Sequence, residues 1–170
     1  MVFQEAYRNK TVVITGHTGF KGTWLAVWLR SLGANVVGMA LDPPTEPAHF
    51  YVMDLENNIR DLRIDIRDRT ALESAIIDAE PDFVFHLAAQ PLVRLSHDDP
   101  IDTWNTNTLG TIHGLDALRK LKKKCAEVII TSDKCYDNVE WEWGYRETDM
   151  LGGADPYSAS KGAAELAIRS

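Results

Sequence analysis

Thr11-Val12-Val13-Ile14-Thr15-Gly16-His17-Thr18-Gly19-Phe20-Lys21-Gly22 is the stretch on which the fold turns. Its first five residues form a β-branched, apolar run that stops at Gly16, the pattern of a strand buried on both faces. Beyond the glycines, Phe20, Trp24, Leu25, Trp28 and Leu32 recur at helical spacing until Gly33 supplies a stop. The order is strand, tight turn, helix.

The same alternation continues outward from this unit. Val36 to Leu41 reads as a second strand, closed by Asp42 and the breaker pair Pro43-Pro44. Leu62-Arg63-Ile64 gives a weak third strand. A helix from Arg69 to Ala79 follows, with Leu72, Ala75, Ile76 and Ala79 inward, and Phe83-Val84-Phe85 is a fourth strand. Pro100, suited to a first helical position, opens a long helix to Leu121, and Glu127 to Thr131 is a fifth strand. Strands alternating with helices over short connections require parallel pairing through right-handed crossovers. The expected fold class is therefore α/β, a doubly wound parallel sheet of order 3-2-1-4-5. No internal repeat or low-complexity segment interrupts it.

Bulk properties narrow the function classes. The 170 residues are 45% hydrophobic, enough for one domain with a real core. With 25 acidic against 18 basic residues the net charge is -7, and the basic residues are scattered apart from Lys122-Lys123-Lys124, which reads as a solvated helix end. No basic face is offered to a nucleic acid. Two cysteines, Cys125 and Cys135, lack companions at metal-ligand spacing, so no metal site and no disulfide framework is expected, and a reducing, cytoplasmic setting fits. No apolar run approaches the ~18 residues of a membrane span. The helix that begins at Pro156 is still in register at Ser170, without a capping glycine. With Met1 as a natural start, the chain reads as residues 1–170 of a longer protein whose carboxyl-terminal portion is absent.

Gly16 to Gly22 lies where the free N–H groups of a helix meet a phosphate, and residues without Cβ let backbone approach it. The loop Gly16, His17, Thr18, Gly19, Phe20, Lys21 and Gly22 is thus a candidate pyrophosphate cradle, although its spacing is GxxGxxG and not GxGxxG. Asp42, closing the second strand, stands where an acid accepts from an adenosine ribose. An acid there would repel a 2′-phosphate, which favours NAD over NADP. Asp42 also suits an ordinary turn before prolines. Asp65 and Ile66, after the third strand, are candidate adenine neighbours, while Asp65 or Asp68 could equally cap the next helix.

Four motifs in order now carry a family resemblance: Thr15 to Gly22; His86-Leu87-Ala88-Ala89-Gln90; Asn107-Thr108-Leu109-Gly110-Thr111; and Tyr157-Ser158-Ala159-Ser160-Lys161. Together they resemble the extended short-chain dehydrogenase/reductase family, whose glycine spacing is the one seen here. Within it, Gln90-Pro91-Leu92-Val93-Arg94, Thr131 to Asn138 and Trp143 to Glu147 are similar to nucleotide-sugar 4,6-dehydratases. Asp133-Lys134, where dTDP-sugar enzymes carry Asp-Glu, points toward the CDP-sugar branch, with CDP-glucose as substrate. The resemblance implies an NAD-binding Rossmann-like fold with Leu87, Ala88, Ala89 and Asn107 also lining the cofactor, and a place in deoxysugar polysaccharide synthesis.

Tyr157 and Lys161, four apart on one helix, share a face, and an ammonium beside a phenol stabilises the phenolate. The resemblance makes Tyr157 the base for the sugar 4-hydroxyl while hydride passes from C4 to NAD, with Ser132 hydrogen-bonding the same oxygen. The 4-ketone acidifies C5, water leaves across C5 and C6 with Asp133 as acid, and hydride returns to C6. Lys134 is either the C5 base or an anchor. Gln90, Arg94 and Ser132 are candidate substrate contacts, although a lone Arg94 is as often merely solvated, and Asn107 more naturally ties backbone than touches substrate. A homodimer through the long helix 100–121 and the Tyr157 helix is implied. Alternatives are another dehydratase or a 4-epimerase of the family, against which Asp133 speaks, or a fragment that binds NAD or dimerises without turnover.

Overall fold

The computed structural model describes residues 3–170; Met1, expected as a natural start, lies outside the described residues. In chain order the elements are α1 (Gln4–Tyr7), β1 (Thr11–Thr15), α2 (Phe20–Ser31), β2 (Asn35–Ala40), α3 (His49–Val52), β3 (Arg60–Arg63) and α4 (Arg69–Ala79). They continue with β4 (Phe83–His86), α5 (Val93–Asp98), α6 (Pro100–Trp104), a π-helical segment (Asn105–Leu109), α7 (Gly110–Arg119), β5 (Ala126–Ile129), a 3-10 turn (Asp133–Cys135) and α8 (Pro156–Arg169). Among the described residues no helix is long and apolar enough to cross a membrane.

The five strands pair in parallel in the order β3-β2-β1-β4-β5, as the alternation of elements required. Alternate residues of each central strand feed opposite layers. Val12 and Ile14 face Ala26 and Leu29 of α2 and Phe50 of α3, whereas Val13 faces Leu72 and Ile76 of α4 and Ala117 of α7. Because β1 to β3 run one way from the centre and β4 to β5 the other, the chain opens a crevice between the carboxyl ends of β1 and β4.

Local chemistry explains the boundaries. Asp68 caps α4 by accepting from Ala71 N at 3.0 Å, and Glu80, at φ 45°, ends it. Asp155 caps α8 through Ser158 N at 2.9 Å, with Pro156 in the first turn.

Several expectations are corrected. Leu41 falls outside β2 and is exposed; β3 begins at Arg60 instead of Leu62, and β5 runs from Ala126 to Ile129 instead of Glu127 to Thr131. The helix expected from Pro100 to Leu121 is broken by the π segment, and α3 and α5 were not anticipated. The aromatic stripe of α2 faces outward: Phe20, Trp24 and Trp28 are exposed, and the inner face is Gly22, Thr23, Ala26 and Leu29. Small residues let this helix lie close on the sheet, and periodicity alone does not say which stripe turns inward.

Candidate active site

The glycine loop joins β1 to α2 under close constraint. Gly16 has φ +74°, and a Cβ there would stand 2.8 Å from Ala88 N; a Cβ at Gly22 would stand 2.2 Å from Gly16 O. Both glycines are therefore demanded by the protein itself. Gly19 is different. Its φ of -78° suits any residue, and a Cβ would meet nothing nearer than Gly16 O at 3.5 Å, an ordinary contact. Nothing in the fold requires a glycine at that point. As the N-cap of α2 it supplies no side-chain oxygen to the first-turn N–H groups, so the bare backbone is left for an acceptor from outside, as a phosphate would be. The residues present thus fit a dinucleotide pyrophosphate.

His17 and Thr18 pin the loop to the neighbouring strands. His17 is wholly buried, its Nε2 2.8 Å from Asp61 Oδ1 and its ring edge-on to Phe50 at 5.4 Å. Gly38 makes room for the ring, since a Cβ there would come within 2.4 Å of it. Burial pushes the imidazole below its ordinary 6.5 although Asp61 pulls the other way. Thr18 Oγ1 donates to Leu41 O at 3.0 Å. Phe20 and Lys21 project into solvent. Asp42 is 86% exposed and lies 3.3 Å from Arg63 Nε. Asp65 holds Arg67, which lowers the Asp65 carboxyl, and Arg67 also pairs with Asp102 of α6. Ile66 is buried beneath Gly110, where a Cβ would approach its Cδ1 to 2.6 Å, and its carbonyl accepts from His113 Nδ1 at 3.0 Å, so its side chain is closed to a ligand.

At the end of β4, His86 organises the crevice, a role sequence reasoning missed. Thr15 Oγ1 accepts from Leu87 N at 3.2 Å and Ala88 N at 3.1 Å, so its proton goes to His86 Nδ1 at 2.9 Å. Nε2 then carries the hydrogen and points at Thr111 Oγ1, 3.3 Å away, whose hydroxyl donates to Asn107 O. A neutral ring satisfies the whole chain, and burial, helped by the Lys161 charge, pushes His86 down to about 4. Ala89 and Leu87 are half-buried on the loop that follows.

Asn107, wholly buried in the π segment, fastens that loop to α8. Its Oδ1 accepts from Gln90 N at 2.8 Å, and its Nδ2 donates to Gln90 O at 3.1 Å and to Ser160 Oγ at 3.0 Å. Ser160 in turn donates to Tyr157 O at 2.7 Å. Gln90 is folded back, its amide nitrogen on Leu92 O and Thr103 Oγ1 and its Oε1 accepting from Leu92 N. Arg94 is exposed on α5, away from these contacts.

The chemistry-bearing groups meet where β5 ends against α8. Lys161 is 5% exposed, its Nζ donates to Ile130 O at 3.4 Å, and burial pushes the amine down to about 8. Tyr157, half-buried, sits one turn earlier on the same helix. Ser132 donates to Asp133 Oδ1 at 3.1 Å and accepts from Lys134 N at 3.2 Å, turning Asp133 and Lys134 outward on the 3-10 turn. A second brace also went unread: Thr131 Oγ1 donates to Glu165 of α8 at 2.5 Å. The spacing Lys161-Glu165 continues the stripe that Tyr157-Lys161 begins, which was the available signal. Glycine loop, His86 loop, Ser132 strap and Tyr157 turn thus share one end of the sheet.

Comparison with known proteins follows the same lines. A family model described as GDP-mannose 4,6 dehydratase matches residues 13–170. CDP-glucose 4,6-dehydratase of Salmonella typhimurium is 51% identical over 166 residues, spanning 98% of this chain and 46% of that protein. Among solved structures, an epimerase from Methanothermobacter thermautotrophicus superposes with TM-score 0.83 at 26% identity, over 99% of this chain and 49% of the other. UDP-glucose 4-epimerase of Thermus thermophilus, solved in complex with NAD, gives 0.78 at 27%, over 94% and 50%. The chain spans about half the length of the relatives it matches.

Proposed function

The chain belongs to the GDP-mannose 4,6 dehydratase family, and on that premise we propose that it carries the cofactor site and catalytic groups of an NAD-dependent dehydratase acting on CDP-glucose. A carboxyl-terminal portion outside these residues would supply most of the nucleotide pocket. The observation that carries the reading is the buried Lys161 amine, one turn beyond Tyr157 and held to the strand end that bears Ser132 and Asp133. NAD bound at the glycine loop would take a hydride from sugar C4 and give it back at C6.

The rest falls to the protein's own side chains. Tyr157 removes the 4-hydroxyl proton, and the Lys161 ammonium stabilises the phenolate that does so. Ser132 turns its hydroxyl from Asp133 to the same sugar oxygen. Asp133, exposed on its turn, delivers a proton to the departing C6 hydroxyl. Lys134 removes the C5 proton or anchors the substrate. Asn107 and His86 touch no reacting atom; they fix the two loops between which the substrate lies. The 51% identity to CDP-glucose 4,6-dehydratase supports the CDP sugar. Ile101 on α6, Leu109 at the end of the π segment and Ile112 on α7, all exposed, and Leu166 on α8 support pairing with a second copy through these helices.

The test is incubation of the full-length enzyme, since residues 1–170 alone are expected to be inactive, with CDP-, dTDP-, UDP- and GDP-hexoses in deuterated water. A 4-keto product labelled at C5 from the CDP sugar alone supports the reading. Label from a different sugar, or no keto product from any, rejects it.

A further inference from the structure

The strap between β5 and α8 carries Ser132 and Asp133, and one of the side chains that hold it takes no part in the reaction. The last bond of this strand to the sheet runs from Ile130 N to His86 O at 3.0 Å. Among the described residues β5 is an outer strand, so beyond Ile130 no neighbouring strand steers the chain. What steers it is α8. Lys161 Nζ reaches Ile130 O at 3.4 Å, and Glu165, one turn further on, accepts from Thr131 Oγ1 at 2.5 Å. At the far end of the strap, Cys135 O accepts from Gly152 N at 2.9 Å and lies against the bare flank of Gly162, where a Cβ would stand 3.2 Å away. Ser132, Asp133 and Lys134 span the interval between these two anchors.

Glu165 is half-buried, and among the described residues it forms no ion pair; its hydrogen-bond partner is Thr131. A carboxylate placed for solubility would face water, and one placed for stability would meet a cation. This one takes a hydroxyl, and a bond to an ionised acceptor is roughly twice as strong as a neutral one. Tyr157, Lys161 and Glu165 are four apart along one face of α8. The helix that presents the phenol and the ammonium therefore also fixes the residue immediately before Ser132. That matters because the phenol and the serine hydroxyl must reach the same sugar oxygen from different elements.

We propose that Glu165 is a positioning residue for the dehydration, locking Thr131 so that Ser132 and Asp133 stay in register with Tyr157 and Lys161. The inference rests on the dehydratase reading of the site and adds to it a residue that touches neither sugar nor cofactor. Without the carboxylate the strap keeps its Cys135 anchor and swings at the Thr131 end. Cofactor and sugar still bind, and the phenol keeps its ammonium. The Ser132 hydroxyl and the Asp133 carboxyl are out of place when bonds change.

Steady-state kinetics of the full-length enzyme with CDP-glucose, expressed per NAD-binding site, test this on the wild type, Glu165→Ala, Glu165→Gln, Thr131→Val and the double variant Glu165→Ala with Thr131→Val. A thermal melt checks that each variant folds. Glu165→Ala should lower kcat about ten- to a hundredfold, the scale of a misplacement of about 1 Å, while KM changes less than about threefold. Glu165→Gln, whose amide oxygen can still accept, should recover most of that loss. Thr131→Val, similar in shape but without the hydroxyl, should match Glu165→Ala, and the double variant should be no slower than either. The acid limb of the pH profile, governed by Tyr157 and Lys161, should not move. A kcat for Glu165→Ala within about threefold of wild type overturns the proposal. So do losses that multiply in the double variant, and so does a shifted acid limb, which would put Glu165 in the proton chemistry itself. Should Glu165→Ala fail to fold, an unimpaired Thr131→Val does the same. Wild-type turnover that these variants leave unchanged keeps the dehydratase reading and removes only this one; no turnover of any nucleotide sugar by the wild type removes both.

Discussion

Replacing Lys161 by methionine should make the fold more stable at neutral pH while it abolishes turnover. The amine is 5% exposed and is held only by a long 3.4 Å contact to Ile130 O, with no carboxylate paired to it among the described residues. Burial brings it from 10.5 down to about 8, which means the charged form costs the native state at most about 3 kcal/mol. Below pH 8 the amine is charged in both states and the full cost is present. Between about 8 and 10.5 the unfolded chain still holds a proton that the native chain has released, so stability rises with pH through that window. Above it both states are neutral and the cost is gone. Methionine has a similar shape and no charge, so the variant should gain about 1 to 3 kcal/mol near pH 7, less whatever the Ile130 contact contributes. Urea denaturation of the protein without cofactor near pH 7 and near pH 10.5 reads this directly. The gain should shrink toward zero at the higher pH. A variant less stable than wild type at pH 7, or a gain that ignores pH, would refute the picture of a buried charge tolerated for the sake of Tyr157.

Three further outcomes are expected. Gly19→Ala should leave urea stability within about 1 kcal/mol, because its backbone suits alanine, yet weaken dinucleotide binding tenfold or more; unchanged affinity would remove the cradle argument. Asn107→Ala should cost about 3 kcal/mol by stranding the Gln90 backbone and Ser160, and a loss below about 1 kcal/mol would mean that water replaces the amide easily. Asp133→Asn should slow release of water while bound NAD is still reduced on addition of CDP-glucose, seen as a persistent rise in nicotinamide absorbance; full turnover would exclude it as the acid.

The central unit was legible because its signals agree. Thr11 to Thr15 is β-branched throughout with an apolar centre, as suits a strand covered on both sides, and Gly16 and Gly22 are explained by contacts of 2.2 to 2.8 Å. The edges were harder to read. β3 is Arg-Asp-Leu-Arg, an outer strand whose side chains partly face water, so hydrophobicity placed it too late. Its Asp61 and Arg63 gain meaning only from their neighbours on β2 and the glycine loop. In α2 the tryptophans marked the helix but not its inner face, because the face that meets a sheet closely is made of small residues. His86 and Ser160 lay inside motifs that the resemblance supplied, but their work is to satisfy other buried groups, and one-dimensional spacing carries no trace of that. Tyr157 and Lys161 were legible for the opposite reason: four residues apart on one helix is a spatial statement already.

The π segment between α6 and α7 amounts to a change of phase. An α-helix advances about 100° per residue, so a single surplus residue in the helix turns everything downstream of it by nearly a third of a circle. Asn107 sits inside that slip, and its three hydrogen bonds exist only at the rotated setting. Deleting one residue between 105 and 109 would give a straighter, better-bonded helix that aims Thr111 and Gly110 away from His86 and Ile66. Here the irregular helix carries the tertiary contacts, and smoothing it would cost more than it repaired.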